Sequence, residues 1–199
     1  MDPRPVVLEG ELVRLEPLEP HHAADLFDAG KDEAIWRYMP RAAPRNVGDV
    51  RAWIGEATDR ARDGSQLPFA IVDRAAGRAI GSTRYLEIRR EHRGLEIGWT
   101  WLAASHQRTG ANTECKLLLL AHAFEALGAI RVQLKTDARN LASQRAIERL
   151  GAEREGVLRA HMVLPDGFVR DTVMYAITAA EWPRVKARLA WLRERADPP

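Results

Sequence analysis

A strand pattern, a loop without acidic residues and a helix pattern follow one another between Ile97 and Thr113, and this junction could bind an anion. The first backbone N–H groups of a helix have no partner within the helix, and the helix dipole makes that end attractive to negative charge. Gly110 would let the backbone approach an anion closely, and Arg108 adds a positive charge. The same residues also fit an ordinary strand–helix loop in which Asn112 caps the helix, so both interpretations stay open.

A second polar junction, Asp137 to Arg145, joins the next predicted strand to the next predicted helix. Asn140 is a good N-cap and Ser143 stands three positions later, so capping alone explains both residues. If the two strands are parallel neighbours, both junctions lie at the same edge of the sheet, outside the carboxyl ends of the strands, where ligands bind. The pair of junctions therefore predicts one ligand site at that edge.

Other motifs that would place a nucleotide or a metal do not occur in the sequence. There is no G-x-G-x-x-G, and the one G-x-x-x-x-G, from Gly151 to Gly156, is followed by Val157 and Leu158 instead of Lys and Ser/Thr. The six histidines and the single cysteine show no zinc-ligand spacing, so we predict no metal site and expect His122 to be a packed or half-exposed helix residue and not a ligand.

The run from Glu96 to Gly151 resembles the Gcn5-related N-acetyltransferases, whose acetyl-CoA signature is Q/R-x-x-G-x-G/A after a bulged strand. The signature keeps Gln107 and Gly110 here, but departs at Asn112, where the family has a small residue, and at Arg108, where glycine is common. The resemblance extends over about Leu8 to Trp182. Three later motifs resemble more specifically the ribosomal-protein N-terminal acetyltransferase (Rim) group, namely Asn140 to Ser143, Glu155-Gly156, and Asp166-Gly167 with Asp171 and Met174-Tyr175.

The resemblance implies a binding mode for acetyl-CoA. Backbone amides of Gln107–Thr113 would hold the pyrophosphate, the splayed strand Trp99–Ala103 would pair with the pantetheine arm like an added strand, and Asn140 would hold a pantetheine amide. The residues expected to contact the cosubstrate are Trp101, Leu102, Ala103, Gln107, Arg108, Thr109, Gly110, Ala111, Asn112, Thr113, Asn140 and Ser143.

The amine must be neutral to attack a thioester, and its pKa decides how strong a base is needed. An α-amino group has a pKa near 7.7–8.0 and lysine near 10.4, so deprotonation at pH 7 costs about 1 kcal/mol for a peptide N-terminus and about 4.6 kcal/mol for lysine. The resemblance suggests two bases, Glu96 on the splayed strand and Glu155, expected near the centre of the sheet. Each could instead be a glutamate in a surface ion pair.

On the leaving side, the Rim resemblance assigns Ser143 as a hydrogen-bond donor to the sulfur. A thiol of pKa about 8.5 departs readily as thiolate, so no strong acid is needed. Cys115 is expected to be a small buried residue and not an acetyl carrier.

Family analogy places the acceptor under Ile35–Pro40 and between the last two strands, although Trp36 and Tyr38 could instead be core residues. We predict a protein or peptide α-amine as the acceptor. The alternative within the enzyme class is a small amine, such as a polyamine, an amino acid or an aminoglycoside. The alternative outside that class is an acyl-CoA-binding protein without turnover.

The elements that must position these residues follow from hydrophobic periodicity and from glycine and proline breakers. Their order, β-α-α-β-β-β-α-β-α-β-β-α, predicts an α/β fold with a single mixed, mostly antiparallel sheet and a central splayed β-α-β acetyl-CoA site. Strands are predicted at 12–15, 68–73, 78–88, 94–102, 130–135, 156–163 and 168–177, and helices at 20–29, 47–62, 112–127, 141–150 and 179–195.

Composition limits the classes of protein to which the chain can belong. Its 199 residues fit one acetyltransferase domain, 1–199, with the family core at 8–182 and a C-terminal helix extension at 183–199. Thirty basic and 28 acidic residues give a net charge of +2 with no separate basic block, so we expect neither a nucleic-acid nor a membrane partner. The lone Cys115 and the lack of a signal-peptide pattern predict a cytoplasmic protein, and the family resemblance implies a homodimer.

Overall fold

The computed structural model describes residues 1–195, which form one eight-stranded sheet with helices on both faces. Residues 196–199 of the predicted C-terminal extension lie outside the described part. The strands are β1 Leu8–Glu9, β2 Val13–Pro17, β3 Leu67–Asp73, β4 Arg78–Arg89, β5 Gly94–Leu102, β6 Arg131–Asp137, β7 Glu153–Val163 and β8 Val169–Thr178. The helices are α1 Ala23–Ala29, α2 Val47–Arg62, α3 Gly110–Ala121, α4 Leu141–Leu150 and α5 Trp182–Glu194.

The strands lie side by side in the order β1-β2-β3-β4-β5-β6-β8-β7. All neighbours are antiparallel except β5 and β6, which are parallel and joined by a crossover through α3. This confirms the predicted mixed, mostly antiparallel sheet with one strand–helix–strand unit at its centre. The sequence pattern did not indicate β1, a strand of only 2 residues.

Each face of the sheet has its own hydrophobic core. The larger core lies under α3, α4 and α5 and includes Tyr85, Leu119 and Leu189, each 0% exposed. The smaller core lies under α1 and α2 and includes Trp53 and Trp101. We call this second side of the sheet the α1–α2 face. Among residues 1–195, no helix combines the length and the apolar character needed to cross a membrane.

Helix α3 begins two residues earlier than predicted, because Thr109 caps it. The Thr109 hydroxyl accepts the N–H of Ala111 at 3.2 Å. The capping role predicted for Asn112 is therefore wrong, since Asn112 lies inside the first turn. The helix continues from His122 to Ala126 as a π-helical turn and ends before Gly128, whose φ of 66° confirms the predicted left-handed stop.

Helix α5 begins later than predicted, at Trp182. The carboxylate of Glu181 accepts both the backbone N–H and the hydroxyl of Thr178, each at 2.7 Å, and this closes a turn between β8 and the helix. The helix then packs in the larger core through Val185 and Leu189.

Candidate active site

A cleft opens between β5 and β6, the parallel pair of the sheet. The two strands pair only over Gly94–Glu96 and Arg131–Gln133, although both continue for several residues. β5 stays paired with β4 as far as Leu102, so its other edge from Ile97 onward has no strand partner within residues 1–195. The backbone N–H and C=O groups of that edge are therefore available to an extended ligand in the cleft.

A β-bulge in β5 lies along the cleft. Between the pairs Arg84–Gly98 and Ser82–Trp101, two residues of β5 stand opposite one residue of β4. Trp99 in the bulge has a φ of 51°, in the left-handed region that a bulky residue seldom adopts. The structure thus contains a bulged strand before the signature, as expected from the resemblance to the Gcn5-related N-acetyltransferases.

The loop after β5 is held by bonds between side chains and backbone. Gln107 donates through Nε2 to the carbonyl of Leu102 at 3.1 Å, and Thr109 donates through Oγ1 to the carbonyl of His106 at 2.9 Å. Arg108 has a φ of 63°, a conformation that favours glycine. This explains why glycine is common at the corresponding position of the acetyl-CoA signature. The first turn of α3 holds no acidic residue, so its N–H groups offer an anion site without competing negative charge.

The second junction lies at the same sheet edge, because α4 begins just after the carboxyl end of β6. Asn140 accepts the N–H of Ser143 through Oδ1 at 3.0 Å and so caps α4. The cap uses only the amide oxygen of Asn140 and the backbone of Ser143. Both side chains are half-buried, and the Asn140 Nδ2 and the Ser143 hydroxyl stay available to a ligand.

Glu96 is buried on the α1–α2 face at the point where β5 and β6 separate. It is 1% exposed, and its Oε2 accepts from Gln133 Nε2 at 2.9 Å and pairs with Lys135 Nζ at 3.1 Å. Its Oε1 makes no hydrogen bond within residues 1–195. One carboxylate oxygen is therefore fixed and the other can accept a proton.

An open groove of about 500 Å³ lies between the segment 33–43 and the turn that joins β7 to β8. Trp36 and Asp166 are among its lining residues. Trp36 also belongs to the smaller core, where its indole N–H donates to the carbonyl of Gly30 at 2.8 Å, whereas Tyr38 is half-buried. Arg170 of β8 contacts the Tyr38 carbonyl at 3.5 Å, so the segment covers the same face as Glu96.

The family described as an acetyltransferase (GNAT) domain matches residues 13–153. The chain belongs to the GNAT acetyltransferase family.

Relatives of this GNAT protein are similar along nearly all of its length. The uncharacterized N-acetyltransferase YoaA of Bacillus subtilis (strain 168) is 25% identical over 171 residues, which are 86% of this chain and 96% of YoaA. The structure of a GCN5-related N-acetyltransferase from Brucella melitensis is 31% identical, with a TM-score of 0.90 over 96% of this chain and 87% of that one. Mycobacterium smegmatis RimJ in complex with CoA-disulfide is 25% identical, with a TM-score of 0.84 over 97% of each chain.

As a GNAT protein, the chain is an acetyl-CoA-dependent N-acetyltransferase. The open edge of β5 suits a pantetheine arm, and the acid-free start of α3 suits a pyrophosphate. The fold brings together, around one cleft, the signature loop, Asn140, Ser143 and Glu96.

Glu155 is not brought to this cleft. Its predicted place near the centre of the sheet is wrong, because β8 lies between β6 and β7 and leaves β7 as the outermost strand. Three strand spacings, about 14 Å, separate β7 from β5 and Glu96. Arg131 forms a two-pronged ion pair with Glu155 and holds the pKa of that carboxyl below its usual value.

Sequence reasoning missed several polar residues on the α1–α2 face. Gln133 and Lys135 alternate with apolar residues along β6, which predicts only that they share a polar face, and in the structure they fix Glu96. Arg84 was not singled out at all, although it is 4% exposed. A signal existed, because Arg84 is the one charged residue in the otherwise uncharged run from Ala79 to Leu86.

Proposed function

We propose that this GNAT protein transfers the acetyl group of acetyl-CoA directly to the α-amine of a protein or peptide. The observation that carries the proposal is the Glu96 carboxylate, buried where the cleft opens, fixed through one oxygen and free at the other. The groove between the segment 33–43 and the β7–β8 turn covers the same face and supports an extended acceptor.

Glu96 serves as the base in this proposal. Its Oε1 accepts a proton from the amine, directly or through a water molecule, while Gln133 and Lys135 keep the carboxylate in place. Because an α-amine loses its proton at pH 7 for only about 1 kcal/mol, a carboxylate is a sufficient base. Bound acetyl-CoA supplies a thioester, so that a C–N bond forms, the C–S bond breaks and the sulfur leaves as a thiolate, which then takes up the second proton that the nitrogen loses.

Ser143 and Asn140 serve at the other end of the cleft. The Ser143 hydroxyl donates a hydrogen bond to the leaving sulfur, and Asn140 offers its Nδ2 to the pantetheine arm. The cap between the two residues supports these roles, because it fixes both side chains at the start of α4.

The departures from the signature at Arg108 and Asn112 would favour a binding protein without turnover. Neither departure disturbs the loop, since Arg108 adopts the left-handed conformation itself and Thr109 supplies the cap. A small amine stays the alternative acceptor within the enzyme class.

Thiol release from acetyl-CoA with a panel of peptides and small amines tests the proposal. We expect release with peptides, a loss of about 100-fold in kcat for Glu96→Gln and about tenfold for Ser143→Ala. A rise in melting temperature with acetyl-CoA but no release with any amine would favour the binding protein. No rise at millimolar acetyl-CoA would contradict both.

The proposal also includes a cellular location and an oligomeric state. A cytoplasmic location is supported by the single, buried Cys115, which forms no disulfide within the chain. A homodimer is supported by the outermost strand β7, where Val157, Leu158 and Val163 are 40%, 44% and 66% exposed. Light scattering after size exclusion tests the dimer.

A further inference from the structure

Arg84 is a buried cation without a counter-ion. It lies on β4 with 4% of its surface exposed, and no carboxylate pairs with it within residues 1–195. The negative charge of Glu56 favours the charged form of Arg84 from a distance, but Glu56 forms its ion pair with Arg41, at 2.8 Å. Buried arginines are normally paired, so the missing partner needs a cause.

The unsatisfied atoms of Arg84 are two particular nitrogens. Nη1 donates to Gln66 Oε1 at 2.9 Å, whereas Nε and Nη2 are buried and have no partner. Nε and Nη2 form one edge of the planar guanidinium, and their parallel N–H bonds match the two oxygens of a carboxylate. The two unsatisfied N–H groups therefore match the geometry of a bidentate anion contact.

The surroundings of Arg84 hold that edge in position. The guanidinium carbon lies 5.1 Å from the ring centre of Trp53 and 4.7 Å from that of Trp99. Both rings lie against the guanidinium at cation–π distance, and neither accepts a hydrogen bond from Nε or Nη2. Burial lowers the pKa of Arg84 to about 10, so the side chain stays charged at neutral pH.

Arg84 also lies close to the proposed reaction centre. It stands opposite Gly98 in the β4–β5 pair, while Glu96 stands opposite Leu86, two residues along on the same face. Such diagonal neighbours are separated by roughly 7–8 Å between backbones. Gly98 has no side chain, and the Glu96 carboxylate and Leu86 Cδ2 occupy the space above it, so the two sites are close neighbours on this face.

We propose that the Nε–Nη2 edge of Arg84 binds a carboxylate of the acceptor, a few bonds from the amine that Glu96 deprotonates. The inference rests on the proposed function and narrows its acceptor class to amines that carry a nearby carboxylate. That carboxylate belongs to the side chain of an N-terminal Asp or Glu, or to the α-carboxylate of a free amino acid. Nε and Nη2 are buried, so admitting a carboxylate needs a side-chain movement, and Trp99, half-buried with its ring over the guanidinium, is the side chain that we expect to move.

Matched acids and amides test this inference through the ratio of their kcat/KM values. Peptides that begin with Glu or Gln differ only in the side-chain carboxylate. Alanine and alaninamide differ in the carboxylate and also in the pKa of the amine, so for this pair the ratio is compared between the wild type and Arg84→Gln, a comparison in which the effect of the amine pKa cancels. We expect the wild type to prefer one acid over its amide by about tenfold to 100-fold, since a charge-assisted bidentate contact is lost with the amide. The peptide pair and the amino acid pair identify which source of carboxylate is used.

Variants connect this preference to Arg84. Arg84→Gln is expected to bring the acid-to-amide ratio near one. Arg84→Lys keeps the charge but not the two parallel N–H donors, and is expected to retain part of the preference for the acid. Arg62→Gln is the matched control, because Arg62 is 79% exposed and pairs with Asp59 on the outside of α2. A ratio near one in the wild type, or an unchanged ratio in folded Arg84→Gln, overturns the inference and leaves the proposed function intact.

A binding measurement separates the two proposals. N-acetylalanine, with CoA present, is expected to raise the melting temperature of the wild type more than N-acetylalaninamide does, and to lose this advantage in Arg84→Gln. If this holds while no amine releases thiol, the proposed function fails and the carboxylate site stands. Equal shifts from acid and amide count against the site.

Discussion

The carboxylate of Glu96 leans over Gly98, so that Oε1 lies 2.9 Å from the position that a Cβ on Gly98 would occupy. A side chain there would also meet Leu86 Cδ2 at 3.0 Å. Gly98 is thus a condition for the observed position of the proposed base, with Arg84 directly across the strand pair. The proposed base Glu96, Gly98 and the buried Arg84 are neighbours on one face of β4 and β5.

Gly98→Ala is expected to push the Glu96 carboxylate out of its place and to lower kcat by about tenfold to 100-fold, because displacements near 1 Å have effects of that size. The melting-temperature shift with acetyl-CoA should stay close to that of the wild type. Gly55→Ala is the matched control, because a Cβ at Gly55 on α2 meets nothing within 4 Å. An unchanged kcat in folded Gly98→Ala would show that the position of Oε1 does not matter.

Glu96→Gln is expected to lose more activity at low pH than at high pH. A base is needed only while the amine is protonated, and an α-amine titrates near 7.7–8.0. The ratio of wild-type to variant kcat/KM should therefore fall from about 100-fold near pH 6.5 toward a few-fold at pH 9. A ratio that does not change with pH over this range argues that Glu96 positions the substrate without accepting a proton.

Arg108→Gly is expected to stabilise the fold and weaken acetyl-CoA binding. The φ of 63° costs a residue with a side chain roughly 1 kcal/mol, and glycine avoids this strain. Glycine also gives the unfolded chain more conformational entropy, which offsets part of the gain in stability. The lost positive charge should raise the KM for acetyl-CoA about threefold to fivefold. Acetyl-pantetheine, which lacks the phosphates, is the control substrate, and its KM should not change.

The start of α3 shows what the sequence can and cannot decide. Thr109 and Asn112 are both good caps three residues apart, and propensity does not rank them. The contacts of the loop decide between them, since Gln107 is bonded to the end of β5 and Thr109 to the carbonyl of His106. The strand–helix junction proposed to bind the anion was predictable, but the first residue of the helix was not.

Glu155 shows the same limit at the level of the sheet. The hairpin of β7 and β8 was predictable from alternation and from its turn at Pro165–Gly167. Alternation does not say which strand of the hairpin pairs with β6, and β8 takes that place. Arg84 could not be identified from the sequence for a related reason. A single charged residue in a strand does not show which face of the sheet it lies on, or whether an acidic residue pairs with it.

Glu155→Gln is expected to leave kcat and KM unchanged and to alter stability slightly. Arg131 holds the folded pKa of Glu155 below the usual 4.5, so the ion pair stabilises the fold above about pH 4.5 and loses this effect as pH falls through the folded pKa. The Glu155 side chain is 42% exposed, so the loss at pH 7 should be about 0.5 kcal/mol or less. Urea unfolding at pH 7 and pH 3.5 measures it, and a large fall in kcat would restore Glu155 as a base.

Cys115→Ala tests whether the acetyl group passes through the enzyme. Cys115 is 0% exposed, and burial raises the pKa of its thiol to about 11, so it is neither ionised nor accessible at neutral pH. The variant should keep the wild-type kcat and lose about 1 kcal/mol of stability from the small cavity. Mass spectrometry of the wild type with acetyl-CoA alone should show no acetylated cysteine, whereas an acetyl-thioester at Cys115 that disappears on adding the amine would replace direct transfer by a two-step route.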